Sequence, residues 1–295
     1  MNWAPRILQF GATGQVAREL RARDRNSVIT ALSRDQVDLR NPQAIADAIA
    51  GADVDLVVNA AAYTAVDRAE SEEDLAFAVN AVATGAMAEA CARRSLPFVH
   101  LSTDYVFDGD KDGPWREDDP IGPINAYGRT KAAGEAAVAQ SGARALIIRT
   151  SWVFSPFGSN FVKTMLAAAR VRDELRIVDD QHGRPTAASE IAEFVFAVAP
   201  ALTSAVGDAS AGVFHFAGDG ATTWRGLAEA IFDLGAGPRP RITPIATAQY
   251  PTSARRPLNS VLDCGKIERV LGVAPRPWRE GLAETLAKLG AEANA

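Results

Sequence analysis

Cysteine is scarce in this 295-residue chain: Cys91 and Cys264 lie far apart, with no metal-ligand spacing. That pattern excludes a disulfide framework and reads as two reduced, buried thiols of a cytoplasmic protein. Histidine is nearly as rare, and His100, His182 and His215 include no pair at catalytic-metal spacing. His100 and His215 fall within apolar runs and read as structural. No run of about 18 successive apolar residues occurs, so a membrane-spanning helix is not expected. The start, Met1-Asn-Trp-Ala-Pro-Arg6, passes directly into Ile7-Leu-Gln-Phe10 and lacks the layout of a secretory signal. Nor is there an excess of positive charge. The 31 Lys and Arg residues against 36 Asp and Glu leave a formal charge of -5, which gives no support for nucleic-acid binding but leaves room for a small anionic ligand at local basic residues. Internal repeats and low-complexity tracts are also missing.

What is present is an alternation. Ile7 to Phe10, Val28 to Leu32, Leu56 to Asn59, Phe98 to Leu101 and Leu146 to Arg149 read as strands. Alanine-rich stretches over Val16 to Arg23, Pro42 to Ala50, Ala69 to Arg94 and Thr130 to Gln140 read as the helices between them. Such alternation predicts an α/β fold with a doubly wound parallel sheet covered on both faces. The rhythm loosens after Arg149. Helices over Asn160 to Arg172 and Glu190 to Ala199, and a strand over Val213 to Phe216, suggest a dinucleotide-binding domain over 1–150 and a smaller α/β substrate lobe, mainly 151–295. Part of 180–235 is expected to return to the first domain. The Gly- and Pro-rich stretch Gly235 to Pro244 reads as a loop.

The segment Gly11-Ala-Thr-Gly14-Gln15-Val16-Ala17 follows the first strand and opens the first helix. That is the context of a Rossmann-type dinucleotide turn, in which glycines let the backbone approach a pyrophosphate and the helix N-terminus offers free amides. The second strand ends at Leu32 before Ser33-Arg34, where an NAD-selective protein carries an acid for the ribose. Arginine there suits a 2'-phosphate, so NADPH is expected over NADH; the alternative is a solvated loop charge. Asp38 and Leu39 are placed by the adenine, and Ala62, Tyr63 and Thr64, after the third strand, by the cofactor's phosphate and ribose.

Tyr127 and Lys131 stand four residues apart in Asn125-Ala-Tyr-Gly-Arg-Thr-Lys131, on one face of a predicted helix. An ammonium beside a phenol favours phenolate and lowers the tyrosine below its ordinary value of about 10, giving a proton donor. Ser102-Thr103-Asp104-Tyr105 begins where the strand ending at Leu101 stops, the edge at which open parallel sheets bind ligands.

Together these features resemble the extended short-chain dehydrogenase/reductases. Five further segments narrow the likeness: Asn59 to Glu70, Pro114 to Glu117, Arg149 to Phe154, Asp180 to Thr186 and Ala254 to Ser260. With them the chain resembles the dTDP-4-dehydrorhamnose reductase family over nearly its whole length. Ala12 and Tyr63 depart from it, where many relatives carry lysine and histidine.

The resemblance implies NADPH-dependent reduction of the C4 ketone of dTDP-4-dehydro-β-L-rhamnose, the last step in making dTDP-β-L-rhamnose. It implies Tyr127 as proton donor, Thr103 as a positioning hydrogen bond, and Lys131 as the group that tunes Tyr127 and holds the nicotinamide ribose. Gly11, Gly14, Gln15, Val16 and Leu101 join the cofactor contacts. Thr103, Asp104 and Trp152 are carried over as sugar contacts, and Arg255 and Arg256 as diphosphate contacts; for the arginines surface or interlobe ion pairs are the alternative, and for Trp152 core packing. Some relatives bind magnesium through glutamates at a dimer contact, and Glu19 and Glu190 occupy comparable places. The plainer reading of both is a solvated face, and no metal ligand is assigned. Monomer and homodimer both stay open, with no membrane or nucleic-acid partner expected. Two competing functions share the motifs: another nucleotide-sugar reductase or epimerase, and a dinucleotide-binding regulatory subunit without turnover.

Overall fold

The computed structural model describes residues 5–24, 28–204 and 210–293. Its first half alternates β1 (Arg6–Phe10), α1 (Gln15–Arg23), β2 (Val28–Leu32), α2 (Pro42–Ala50) and β3 (Leu56–Asn59). Two short helices, α3 (Val66–Ala69) and α4 (Glu73–Phe77), lead into α5 (Ala83–Arg93), then β4 (Phe98–Thr103), α6 (Ala126–Gln140) and β5 (Ala145–Thr150). Beyond these lie β6 (Val153–Phe154), α7 (Phe161–Ala169), β7 (Glu174–Val178), β8 (His182–Gly183), β9 (Thr186–Ala187) and α8 (Ala188–Thr203). The chain continues with β10 (Gly212–His215), β11 (Thr222–Thr223), α9 (Trp224–Leu234), β12 (Arg241–Ile245), α10 (Gly265–Leu271) and α11 (Trp278–Ala293).

Six strands form one parallel sheet in the order β10-β5-β4-β3-β1-β2. Strand alternation divides its side chains between two cores. Ile7, Leu56, Val58, Val99, Leu146 and Ile148 pack with α1 and α8. Leu8, Phe10, Val57, Phe98 and Ile147 pack with α2 and α5 on the opposite face. A strand buried on both faces must be apolar at odd and even positions alike, which is why these runs are continuous. The order reverses between β1 and β3, and the crevice above such a reversal is where open α/β sheets hold ligands. A third core gathers Phe154, Val162, Met165, Leu175, Ile177, Leu227, Ile231, Trp278 and Leu282 from β6, α7, β7, α9 and α11.

Three expected elements differ. The helix expected over Ala69 to Arg94 begins only at Glu73, after the short α3 ends at Ala69, and is interrupted by a π-helical turn at Ala78–Val82, where Asn80 turns inward. Asn80 Oδ1 accepts from Tyr63 N at 2.8 Å, and its Nδ2 donates to Tyr63 O at 3.1 Å and Thr130 Oγ1 at 3.0 Å. Helix α6 starts four residues before Thr130, because Asn125 accepts from Gly128 N at 2.8 Å and caps it. The supposed loop over 235–244 contains most of β12, paired in parallel with β7. Pro244 fits there because a two-stranded sheet is all edge. The membrane-like helical stretch Glu73–Arg93 is apolar enough by composition to span a bilayer, yet 56% of its apolar window is buried inside the protein.

Candidate active site

Backbone sterics build the floor of the crevice. Gly11 has φ +94°, and a Cβ there would stand 3.1 Å from the Ala60 carbonyl and Ala61 Cα, so only glycine lets the turn sit against the end of β3. Gly14 precedes α1 with no side-chain cap, leaving the first-turn amides without a side-chain acceptor. Val16 is buried beneath the turn. Gln15 is half-buried and reaches β6 and the start of α7, where its Oε1 accepts from Asn160 at 2.9 Å and its Nε2 donates to Val153 O at 3.2 Å.

Helix α6 brings Tyr127 and Lys131 to the same crevice. Two glycines make that approach possible: a Cβ on Gly128 would collide with Tyr105 O, and one on Gly134 with Asn80 O. Each glycine costs roughly 1 kcal/mol in helix propensity, offset by seating the helix directly on the backbone around the site. The first turn is fastened further by Glu70, which accepts from Ala126 N at 2.7 Å.

Lys131 is 1% exposed. Its ammonium donates to Leu101 O at 2.6 Å and lies 3.2 Å from His100 Nε2. Burial pushes it down to about 8, with Glu135 pulling the other way. Burial, reinforced by Lys131, holds His100 well below its ordinary range, so the ring stays neutral; its other nitrogen lies 3.2 Å from Asn59 Nδ2. Glu135 is itself locked to Arg149 at 2.7 Å and accepts from Ser102. The expected lowering of Tyr127 by Lys131 is not what the geometry produces. Burial raises the Tyr127 phenol to about 12, the Thr103 hydrogen bond opposes, and Asp104 adds to the rise. The four-residue spacing aligned the two residues, but the ammonium is drawn to the end of β4 and desolvation dominates the phenol.

Thr103 ends β4 and starts a single 3-10 turn, accepting from Tyr105 N at 3.2 Å. Asp104 is 3% exposed, with its Oδ1 3.0 Å from Thr103 Oγ1. The Tyr105 and Tyr127 rings meet edge to face at 5.8 Å. Ser260 reaches Asp104 from the C-terminal segment, and Asn125 Nδ2 holds that segment through Arg255 O at 2.8 Å.

The remaining expected site residues lie further out. Arg34 is exposed at the end of β2, with half-buried Ser33 beside it. Asp38 is paired with Arg40 at 2.6 Å, whose hydrogen bonds lower its carboxyl to about 2, while Leu39 packs on the second core. Ala62 and Thr64 are exposed; Tyr63 donates to Glu72. Arg255 is exposed, whereas Arg256 forms a two-pronged pair with Asp67 at 2.6 and 2.7 Å. The arginine pair is thus split, one side chain in solvent and one in the ion-pair role that was the alternative for it. Trp152 carries φ +49°, an uncommon conformation for a bulky residue. Its ring stacks on Trp224 with centroids 3.7 Å apart, and a Cβ on Gly183 would strike it.

Glu19 and Glu190 require correction, because neither is solvated. Glu19 is 1% exposed and paired with Arg23; Glu190 is 4% exposed, 3.1 Å from Arg276. Helix α8 packs on α1, and Glu190 faces Gly281 of α11. Among the described residues no group of three or more His, Cys, Asp or Glu side chains is placed to hold a metal ion. His100 is the buried, partnered structural histidine expected, although its contact with Lys131 was not; sequence reading missed Asn80 and Glu135, whose roles arise only from contacts 14 to 50 residues away.

A family model described as the RmlD substrate binding domain matches residues 5–291. The dTDP-4-dehydrorhamnose reductase of Sinorhizobium fredii is 45% identical over 279 residues, covering 93% of this chain and 94% of its own. The crystal structure of a dTDP-4-dehydrorhamnose reductase from Clostridium acetobutylicum superposes with a TM-score of 0.91 at 35% identity, covering 97% of this chain and 99% of that one. A second, from Bacillus anthracis in complex with NADP, gives 0.90 at 30% identity, with 97% and 100% covered. Length, fold and identity agree from end to end, and the chain belongs to the dTDP-4-dehydrorhamnose reductase family of Rossmann-type oxidoreductases.

Proposed function

We propose that the chain reduces the C4 ketone of dTDP-4-dehydro-β-L-rhamnose to dTDP-β-L-rhamnose in the cytoplasm, with NADPH as reductant. The observation that carries this reading is the convergence of Thr103, Tyr127 and Lys131 at the carboxyl edge of the sheet that also carries the Gly11 turn at its topological switch point. The site fits a dinucleotide: glycine is sterically required at Gly11, and the α1 amides have no side-chain cap. When bound there, NADPH supplies a hydride to the ketone carbon.

Every other part of the chemistry falls to the chain. As charge develops on the ketone oxygen, Tyr127 donates its proton and Thr103 a hydrogen bond. A phenol raised to about 12 is fully protonated at neutral pH, so the proton is in place before reduction. Lys131, held by Leu101 O, presents its charge to the nicotinamide ribose. Ser33 and Arg34 take the 2'-phosphate, Asp38 and Leu39 flank the adenine, and Ala62, Tyr63 and Thr64 line the path between. Asp104 and Trp152 meet the deoxyhexose. Arg255 and Arg256 meet the diphosphate, the latter by exchanging Asp67 for phosphate oxygens.

The test is NADPH consumption with the freshly prepared dTDP-4-keto sugar, beside the UDP analogue. Turnover of the dTDP sugar with at least tenfold preference is expected. Cofactor binding without turnover would overturn the reading in favour of a regulatory subunit, and preference for the UDP sugar in favour of a different reductase.

A further inference from the structure

A threonine hydroxyl has one proton to donate and two lone pairs with which to accept. One lone pair of Thr103 Oγ1 is taken by the Tyr105 N–H. Asp104 Oδ1 stands 3.0 Å from the same oxygen, and the Tyr127 phenol is its hydrogen-bond partner on the site side. An ionised Asp104 can only accept. It would take the single Thr103 proton and leave the side facing the reacting oxygen without a donor. A neutral Asp104 donates into the second lone pair instead, and the Thr103 proton is free to turn outward.

We propose that Asp104 works as a neutral carboxylic acid that donates to Thr103 Oγ1 and so aims the Thr103 hydroxyl proton at the ketone oxygen and Tyr127. The inference rests on the ketone-reduction reading and deepens it. Asp104 is a positioning residue here and keeps its proton through turnover. Two geometric facts favour the neutral form: the side chain is 3% exposed, and Oδ2 is buried without a hydrogen-bond partner. An orphaned oxygen penalises a carboxylate more than an acid, because the charged group loses more solvation. The groups facing it are the hydroxyls of Thr103 and Ser260, the backbone N–H groups of Asp104 and Tyr105, the Tyr105 and Tyr127 phenols, and Arg256 behind Tyr105; all but the phenols favour the charged form, yet Arg256 is committed to Asp67 and burial outweighs the rest. In keeping with this, burial pushes the Asp104 carboxyl up to about 7, against the pull of Ser260 and Thr103.

The consequence is a descending limb in the kcat profile as pH rises through about 7, which Asp104→Asn identifies by lacking it. The test compares wild type with Asp104→Asn and Asp104→Ala from pH 5.5 to 9.5, using NADPH and the dTDP-4-keto sugar. Alongside it, the Asp104 carboxyl is titrated by 13C NMR in labelled, substrate-free protein, with Asp104→Asn assigning the resonance. An asparagine amide donates as the neutral acid does. Asp104→Asn should therefore be slower by about threefold at pH 6 and lack the limb near 7, while Asp104→Ala should be slower by tenfold or more at every pH. The resonance should titrate near 7. A midpoint near 4, or an unchanged limb in Asp104→Asn, would overturn the proposal. Absence of wild-type turnover at every pH would overturn the reduction reading, and the NMR midpoint would then decide the state of Asp104 by itself.

Discussion

The end of β4 and the charged rim around it are built on opposite principles. At the strand end, Thr103, Asp104 and Lys131 are each 5% exposed or less, and apart from Asp104 Oδ2 their polar atoms are fixed by neighbours such as Leu101 O, Tyr105 N and Ser260. At the rim, Arg34 and Arg255 stand in solvent, and Arg256 is held by the Asp67 carboxylate. In the proposed reaction, the groups for proton chemistry are in position before any ligand arrives, while the groups for ligand charge must move or change partners. Buried groups gain strength from the low dielectric and are fixed by packing; exposed charges hold ions with little penalty but fix little geometry. Substitutions at the strand end should therefore act on kcat and those at the rim on KM.

The largest effect is expected at Tyr127. Tyr127→Phe should lower kcat by about 10³-fold, roughly 4 kcal/mol of transition-state stabilisation, with NADPH affinity by fluorescence titration within threefold of wild type. A loss shared equally by kcat and cofactor affinity would erase the contrast between the two regions. Arg256→Ala should raise KM for the dTDP sugar about tenfold and leave kcat within threefold, the loss of a charge-assisted contact. A collapse of kcat there would make Asp67–Arg256 a structural clamp on the 254–260 segment. At Arg34→Ala the ratio of kcat/KM for NADPH over NADH should fall about tenfold while the NADH value holds; an unchanged ratio would remove Arg34 from the cofactor.

The smallest effect concerns a buried acid outside the crevice. Burial raises Glu190 to about 7 from an ordinary 4.5, with Arg276 opposing and Glu284 and Glu193 contributing to the rise. A raised folded-state value means that the stability it contributes is fully present below pH 4.5 and is lost as pH climbs through 7. Glu190→Gln should consequently narrow the gap in unfolding free energy between pH 5 and pH 8 by on the order of 1 kcal/mol, with kcat unaltered. Arg276 keeps Glu280 and Glu284 as partners in the variant. Equal losses at both pH values would show that the Arg276 pair outweighs desolvation.

The sheet was legible in the sequence because burial on both faces writes an uninterrupted apolar run at each central strand, and glycine at the Gly11 turn is a steric necessity. Thr103, Tyr127 and Lys131 were legible for a similar reason: short local patterns place them, one at a strand end and two on a helix face. Electrostatics was not legible. Whether Lys131 reaches Tyr127 or Leu101 O depends on β4, and whether Glu190 is wet or dry depends on Arg276 and α11, all distant in sequence. The π turn at Ala78–Val82 was hidden because an alanine-rich run suits an unbroken helix equally well; Asn80 earns its place only through Tyr63 and Thr130.

The central claim, that this crevice reduces the sugar's C4 ketone, is tested most directly by carrying out turnover with NADPH deuterated at nicotinamide C4 and locating the label in the product by NMR and mass spectrometry. With the deuterium on the transferred face, the account predicts one deuterium at C4 of the deoxyhexose, formed by wild type and reduced about 10³-fold in rate by Tyr127→Phe. A label at any other carbon, or an unlabelled product, would contradict it.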